Sequence, residues 1–276
     1  MTDDWRQHLE RAVAEGMAER GSDAVRAALT EELQRLEQEA PTPLAVDQAV
    51  LGVDACATGW VGVLLAPGAR PAALSSRSIG SLVELARESV ELAVVAIDIP
   101  IGLPDGGVRA ADVLARRALG AKGSSVFATL TRPAYAAATY AEARTANLEA
   151  TAGLRSASAQ AYGLRAKVLD VDAWARARPG VEVIEAHPEL SFARLAGAPM
   201  AARKKDPEGV RRRRDVLERA GLTPPAWFRG SGFGEDDLLD ACAVAWTAVR
   251  HSRGDAESVP AEPEVFSDGL AAAIWV

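Results

Sequence analysis

Six consecutive apolar residues, Leu92-Ala93-Val94-Val95-Ala96-Ile97, stop abruptly at Asp98. A short run without polar alternation suits a strand covered on both faces. Covering both faces takes helices on each side, so the run points to an α/β chain. Val50-Leu51-Gly52-Val53 repeats the pattern and stops at Asp54. After a tight turn over 55–59, Trp60 to Leu65 reads as the returning strand. Residues 72–78 read as a third strand, set off by Pro67-Gly68, and 80–90 as a helix. Val181-Glu182-Val183-Ile184-Glu185 is another strand, ended by His187-Pro188.

Between the later strands, 107–119, 135–151 and 157–178 read as helical. Helices are also predicted over 188–195, 207–220 and 235–252, with extended structure over 264–276 around Asp268-Gly269. Three locally joined strands, a helix, a strand, a helical insertion and a further strand make a mixed α/β sheet. That is the ribonuclease H-like order, and it is expected over residues 46–276. Residues 1–45 read as an N-terminal helical extension. Trp5, Leu9, Val13 and Met17, then Leu29, Leu33 and Leu36, mark a helical hairpin over 3–39, closed by Pro41-Thr42-Pro43. Such a hairpin is expected to dock on the main domain or on a second copy, which would make a homodimer.

Apolar residues at 49% and charged residues at 25% allow a sizeable core and make disorder the wrong default. No run approaches the ~20 apolar residues of a membrane span. The acidic start, Met1-Thr2-Asp3-Asp4, is unlike a secretory signal. Cys56 and Cys242, each in an apolar stretch, read as buried thiols, so a cytoplasmic location is expected. Net charge is −7, which argues against a general nucleic-acid coat. Residues 1–45 hold ten acidic and five basic side chains, so the remainder carries only −2.

Acids at strand ends lie where α/β sheets place their sites. Asp54, Asp98 and Glu185 hold that position, and strand alternation puts His187 on the side of Glu185. A buried carboxylate needs a partner, and a divalent cation with oxygen ligands is a natural one. The bland alternative is that each acid caps a turn or a helix. Gly234-Glu235-Asp236-Asp237-Leu238-Leu239-Asp240 opens the helix over 235–252. Asp237 and Asp240, three residues apart, share a face that could reach back to the strand ends. Residues 203–219 carry eight basic and four acidic side chains, including Lys204, Lys205 and the run Arg211–Arg214. Either phosphate contact or a solvated, internally paired helix explains them.

Leu51-Gly52-Val53-Asp54-Ala55-Cys56-Ala57-Thr58-Gly59-Trp60-Val61 resembles the opening of the domain-of-unknown-function family 429, whose members are predicted ribonuclease H-like nucleases. The resemblance continues through Ile97-Asp98-Ile99-Pro100-Ile101-Gly102-Leu103-Pro104, Arg109, Asp112 and Arg116, and Ser124-Ser125-Val126-Phe127. It further takes in Gln160-Ala161-Tyr162, Lys167, Glu185-Ala186-His187-Pro188-Glu189, Lys204-Lys205 and Asp236–Ala241, covering about 50–252. One departure is Ala55, where many relatives carry Gly. The resemblance implies the ribonuclease H-like fold more than an activity. The acids themselves make a metal-dependent nuclease the first expectation, with Mg²⁺ or Mn²⁺ held by Asp54, Asp98 and one of Asp237 or Asp240, Asp237 being the first choice, and with Glu185 and the other aspartate completing the acidic set. Arg109, Lys167, His187, Lys204 and Lys205 would meet a nucleic-acid or other phosphoester substrate. The competing expectation is a nucleotide- or phosphate-binding protein of the same fold without nuclease activity.

Overall fold

The computed structural model describes residues 41–276 and, before them, Arg11, Ala27, Thr30 and Glu31. The hairpin expected over 3–39 lies outside the described residues. The chain divides into two units, Met1–Thr42 and Pro43–Val276. The second holds β1 (Ala49–Cys56), β2 (Gly59–Leu65), β3 (Ala72–Ser76), α1 (Ile79–Arg87) and β4 (Leu92–Ile97). The insertion follows, with α2 (Ala110–Leu119), α3 (Arg132–Ala136), α4 (Tyr140–Ala150), α5 (Ala159–Gly163) and α6 (Arg165–Arg176). Then come β5 (Glu182–Ala186), α7 (Pro188–Ala196), α8 (Pro207–Arg219), α9 (Glu235–Ser252), β6 (Ser258–Val265) and β7 (Ala271–Trp275).

The strands form one seven-stranded mixed sheet in the order β3-β2-β1-β4-β5-β7-β6. β1, β4, β5 and β7 run parallel at the centre, while β2 and β3 on one side and β6 on the other are antiparallel. The expected helices over 135–151 and 157–178 are each broken in two. Thr139 caps α4 through the amide of Glu142, and Ser158 caps α5 through that of Ala161. β6 begins six residues earlier than the expected tail strand. Pro260 and Pro263 hid it, and an edge strand tolerates them.

Burial alternates along the central strands and labels the two faces. Leu51, Val53, Val95 and Ile97 enter a core with α1 and α6. Val50, Val94, Ala96, Ile184 and Ala186 enter the opposite core, with α7, α8 and α9. α9 is buried at every position from Leu238 to Val249, as a helix under a sheet and between neighbours must be. It lies directly on β1 because Gly52 has no side chain. A Cβ there would stand 2.1 Å from the Ala245 nitrogen and 2.5 Å from the Ala241 carbonyl oxygen. This close approach sets where the start of α9, with Asp240 beside Ala241, meets the end of β1.

Candidate carboxylate site

Val53 and Ile97 are register partners in the parallel pair β1/β4, and the Asp98 amide donates to the Val53 carbonyl at 2.9 Å. Asp54 and Asp98 therefore leave the sheet side by side. Because Val53 and Ile97 point into the α1 face, the next residue on each strand points to the α9 face. Asp240 comes to the same place from the helix.

Asp54 and Asp240 are nearly closed to solvent, at 6% and 3% exposure, and Asp98 is half-buried. Burial raises the Asp54 carboxyl well above the usual range, and the charges of Asp98 and Asp240 push it further. Burial also raises Asp98, against the opposing pull of His187 and Lys204. Burial lifts Asp240 to about 6, with Lys204 opposing and Asp98 adding to the rise. Asp54 thus senses both other aspartates, and Asp240 senses Asp98.

One cation stands among them. Lys204 Nζ donates to Asp240 Oδ2 at 2.6 Å, and the charges of Asp240, Asp54 and Asp98 hold its ammonium more strongly protonated than usual. The other Asp240 oxygen, Oδ1, is buried without a hydrogen-bond partner. Three carboxylates against one ammonium leave the ionised cluster at −2. Among the described residues, no three His, Cys, Asp or Glu side chains converge to hold a metal ion as they stand. The oxygens are hard donors of the type Mg²⁺ and Mn²⁺ prefer, but one of them is engaged by Lys204.

The other expected site residues divide sharply. Asp237 accepts from the Gly234 amide at 2.9 Å and caps α9, acting on Asp54 only as a weaker, more distant charge. His187 lies beside Asp98, with Nδ1 buried and without a hydrogen-bond partner. The strand ends at Ala186, so alternation no longer governs His187, which is the N-cap of α7. Lys205 is exposed at the rim, 3.9 Å from Asp236. Lys167 donates to the Gly59 carbonyl and stands 4.5 Å over the Trp60 ring, and its charge still reaches Asp54.

Glu185 does not join the aspartates. It projects from β5 to the opposite face of the sheet. There Arg109 Nη2 donates to it at 2.6 Å and the Ile101 amide at 2.8 Å. Burial raises the Glu185 carboxyl to about 7 against the pull of Arg109. Arg109 itself is fully buried, and it also meets Thr129 and Asp112. A substrate phosphate cannot reach it, so this network braces the loop after β4. Three members of the run Arg211–Arg214 are paired with acids of the same chain. Arg212 pairs with Glu208, Arg213 with Glu189 and Arg214 with Glu235.

Glu189 has no expected role beyond its place in the motif Glu185–Glu189, yet its charge acts on Asp98 and its Oε2 is buried without a partner. Its place in the first turn of α7, two residues after His187, was the available signal. No helix among the described residues is long and apolar enough to cross a membrane. No curated protein and no solved structure matches the chain. A family model described as "Protein of unknown function (DUF429)" does match, over residues 52–265, and the chain belongs to that family.

Proposed function

We propose that this chain is a divalent-metal-dependent phosphodiesterase of ribonuclease H-like fold that acts on nucleic acid. One observation carries the reading. Three aspartates from the ends of β1 and β4 and the first turns of α9, two of them buried and one half-buried, gather around a single lysine; Asp98 and Asp240 raise the proton affinity of Asp54, and Asp98 raises that of Asp240. Such a cluster lacks positive charge. The β3-β2-β1-β4-β5 order, with β1 central, supports the fold assignment. Asp54, Asp98 and Asp240 would hold Mg²⁺ or Mn²⁺, Asp240 replacing the Asp237 expected from the sequence.

A divalent cation held by these residues would supply Lewis-acid activation of water and positive charge for the phosphate oxygens. The chain's own groups do the rest. Lys204 must release Asp240 for all three carboxylates to turn to one cation, and its ammonium is then free to face a phosphate oxygen. Lys205, on the rim, adds a second cation along the backbone of the substrate. His187 holds Asp98 by charge and offers Nδ1 as a proton donor or acceptor. Arg213, through Glu189, fixes the first turn of α7 beneath it.

The test is cleavage of a panel of single- and double-stranded DNA and RNA with Mg²⁺ or Mn²⁺. Asp54→Asn and Asp240→Asn should each lower the rate by roughly 10²-fold or more, since even outer partners of a metal site cost 10–100-fold. If wild type and Asp54→Asn cut equally, or neither cuts anything, the reading fails. The lysine on Asp240 favours a second reading, a phosphate-binding protein without turnover. Calorimetry with Mn²⁺ separates the two, because only the first requires binding that Asp54→Asn removes.

A further inference from the structure

A cleft that shares no residue with the carboxylate cluster opens in the helical insertion and measures about 380 Å³. That size is within the usual range of small-molecule sites. Its polar groups fall into two sets. On the floor, the Thr129 hydroxyl and amide both donate to Asp112, the Thr131 amide donates to the Asn147 side chain, and the Thr151 hydroxyl donates to the Asn147 carbonyl. These groups are spent on holding the fold. On the rim, Arg116 from the last turn of α2 and Arg155 from the loop after α4 line the cleft.

Both arginines are half-buried, yet no carboxylate or carbonyl among the described residues accepts from either guanidinium. They differ in this from Arg109, Arg132, Arg213 and Arg214, each of which reaches an acid. No Asp or Glu lines the cleft. Ser124 and Gln160 add side-chain donors that make no bond among the described residues. Val126, Phe127 and Leu130 supply an apolar wall. Two guanidiniums without an acidic partner line one cavity, which suits an anion. Their planar forks match the oxygens of a phosphate. A phosphomonoester carries about −1.5 to −2 near neutral pH, which balances two arginines.

We propose that this cleft binds a small organic phosphomonoester, its phosphate between Arg116 and Arg155 and its organic body against Phe127. The inference is independent of the carboxylate site and of any nuclease activity. The experiment is calorimetry on the full chain with three probes: inorganic phosphate, AMP and adenosine. AMP should bind, with adenosine at least about tenfold weaker for lack of the phosphate. Arg116→Gln and Arg155→Gln should each weaken AMP at least about tenfold, as loss of a charge-assisted contact does. Neither arginine has a partner to abandon, so both variants should keep the wild-type melting temperature. Asp54→Asn should bind AMP as wild type does. Amide exchange of wild type with and without AMP gives a readout that needs no variant, and protection should appear around Ser124 and Gln160. Absence of AMP binding, equal binding by an Arg116→Gln/Arg155→Gln double variant, or loss of binding in Asp54→Asn would overturn the proposal.

Discussion

Replacing Asp54 by Asn should make the protein more stable, and more so at high pH. Asp54 is 6% exposed, and its strongest charge neighbours, Asp98 and Asp240, are both repulsive. Lys204 opposes them only in part. Burial and these like charges hold the Asp54 carboxyl well above the usual range, so the ionised form is the costly one. Asn keeps the volume and can still accept the Ala55 amide that Asp54 Oδ1 accepts at 2.7 Å. Relief at a strained site typically returns about 1–2 kcal/mol, or roughly 2–8 °C in Tm for a chain of this size. The sign in pH follows from linkage. A carboxyl whose folded pKa is raised holds its proton more tightly when folded, so it costs nothing below the ordinary carboxylate value. The cost grows as pH rises through that value toward the folded one, and is complete above it. Thermal unfolding in chelator at pH 8 and at pH 4 reads the effect. The gain should be present at pH 8 and nearly absent at pH 4. A lower Tm for Asp54→Asn at pH 8, or an equal gain at both pH values, would refute the electrostatic account of the cluster.

Further predictions follow from the same geometry. Lys204→Met removes the cation that competes for Asp240, so Mn²⁺ affinity by calorimetry should rise at least about tenfold while cleavage falls; unchanged affinity would show that the lysine does not compete. Mn²⁺ binding should weaken as pH drops through about 6, where Asp240 takes up its proton and stops being a ligand. Arg109→Met leaves Glu185 buried without its cation, and chemical denaturation should show a loss of roughly 3–5 kcal/mol. Glu185→Gln should leave Mn²⁺ affinity at the wild-type value, since Glu185 lies on the other face of the sheet. Gly52→Ala drives a Cβ into the α9 backbone, and the variant should fail to accumulate as folded protein, checked by soluble yield and circular dichroism.

The strand ends were legible because a strand buried on both faces is written as an unbroken apolar run, and Asp54 and Asp98 are where two such runs stop. The same writing conceals which way the terminal acid points. In Val181-Val183-Ile184 and in Leu92–Ile97, apolar residues occupy both parities, so no alternation labels a face. Glu185 therefore looked equivalent to the aspartates. Register settles the difference: Asp54 and Asp98 follow the paired residues Val53 and Ile97, whereas Glu185 is itself the partner of Ile97 and shares its face. The choice between Asp237 and Asp240 was hidden for another reason. Both lie on one side of α9, but Asp237 stands three residues after Gly234 and is taken by the helix's own unsatisfied amide. Asp240, a turn deeper, has no such amide within reach and must answer to the sheet. Lys204 was legible as a basic residue expected to meet phosphate but not as the partner of Asp240, since a lysine in an irregular segment carries no periodicity and only the packing of α8 and α9 brings the two together. Two of the three aspartates were thus readable from where runs of apolar residues stop. The bond that joins Lys204 to Asp240 was not, because it depends on chain segments far apart in sequence.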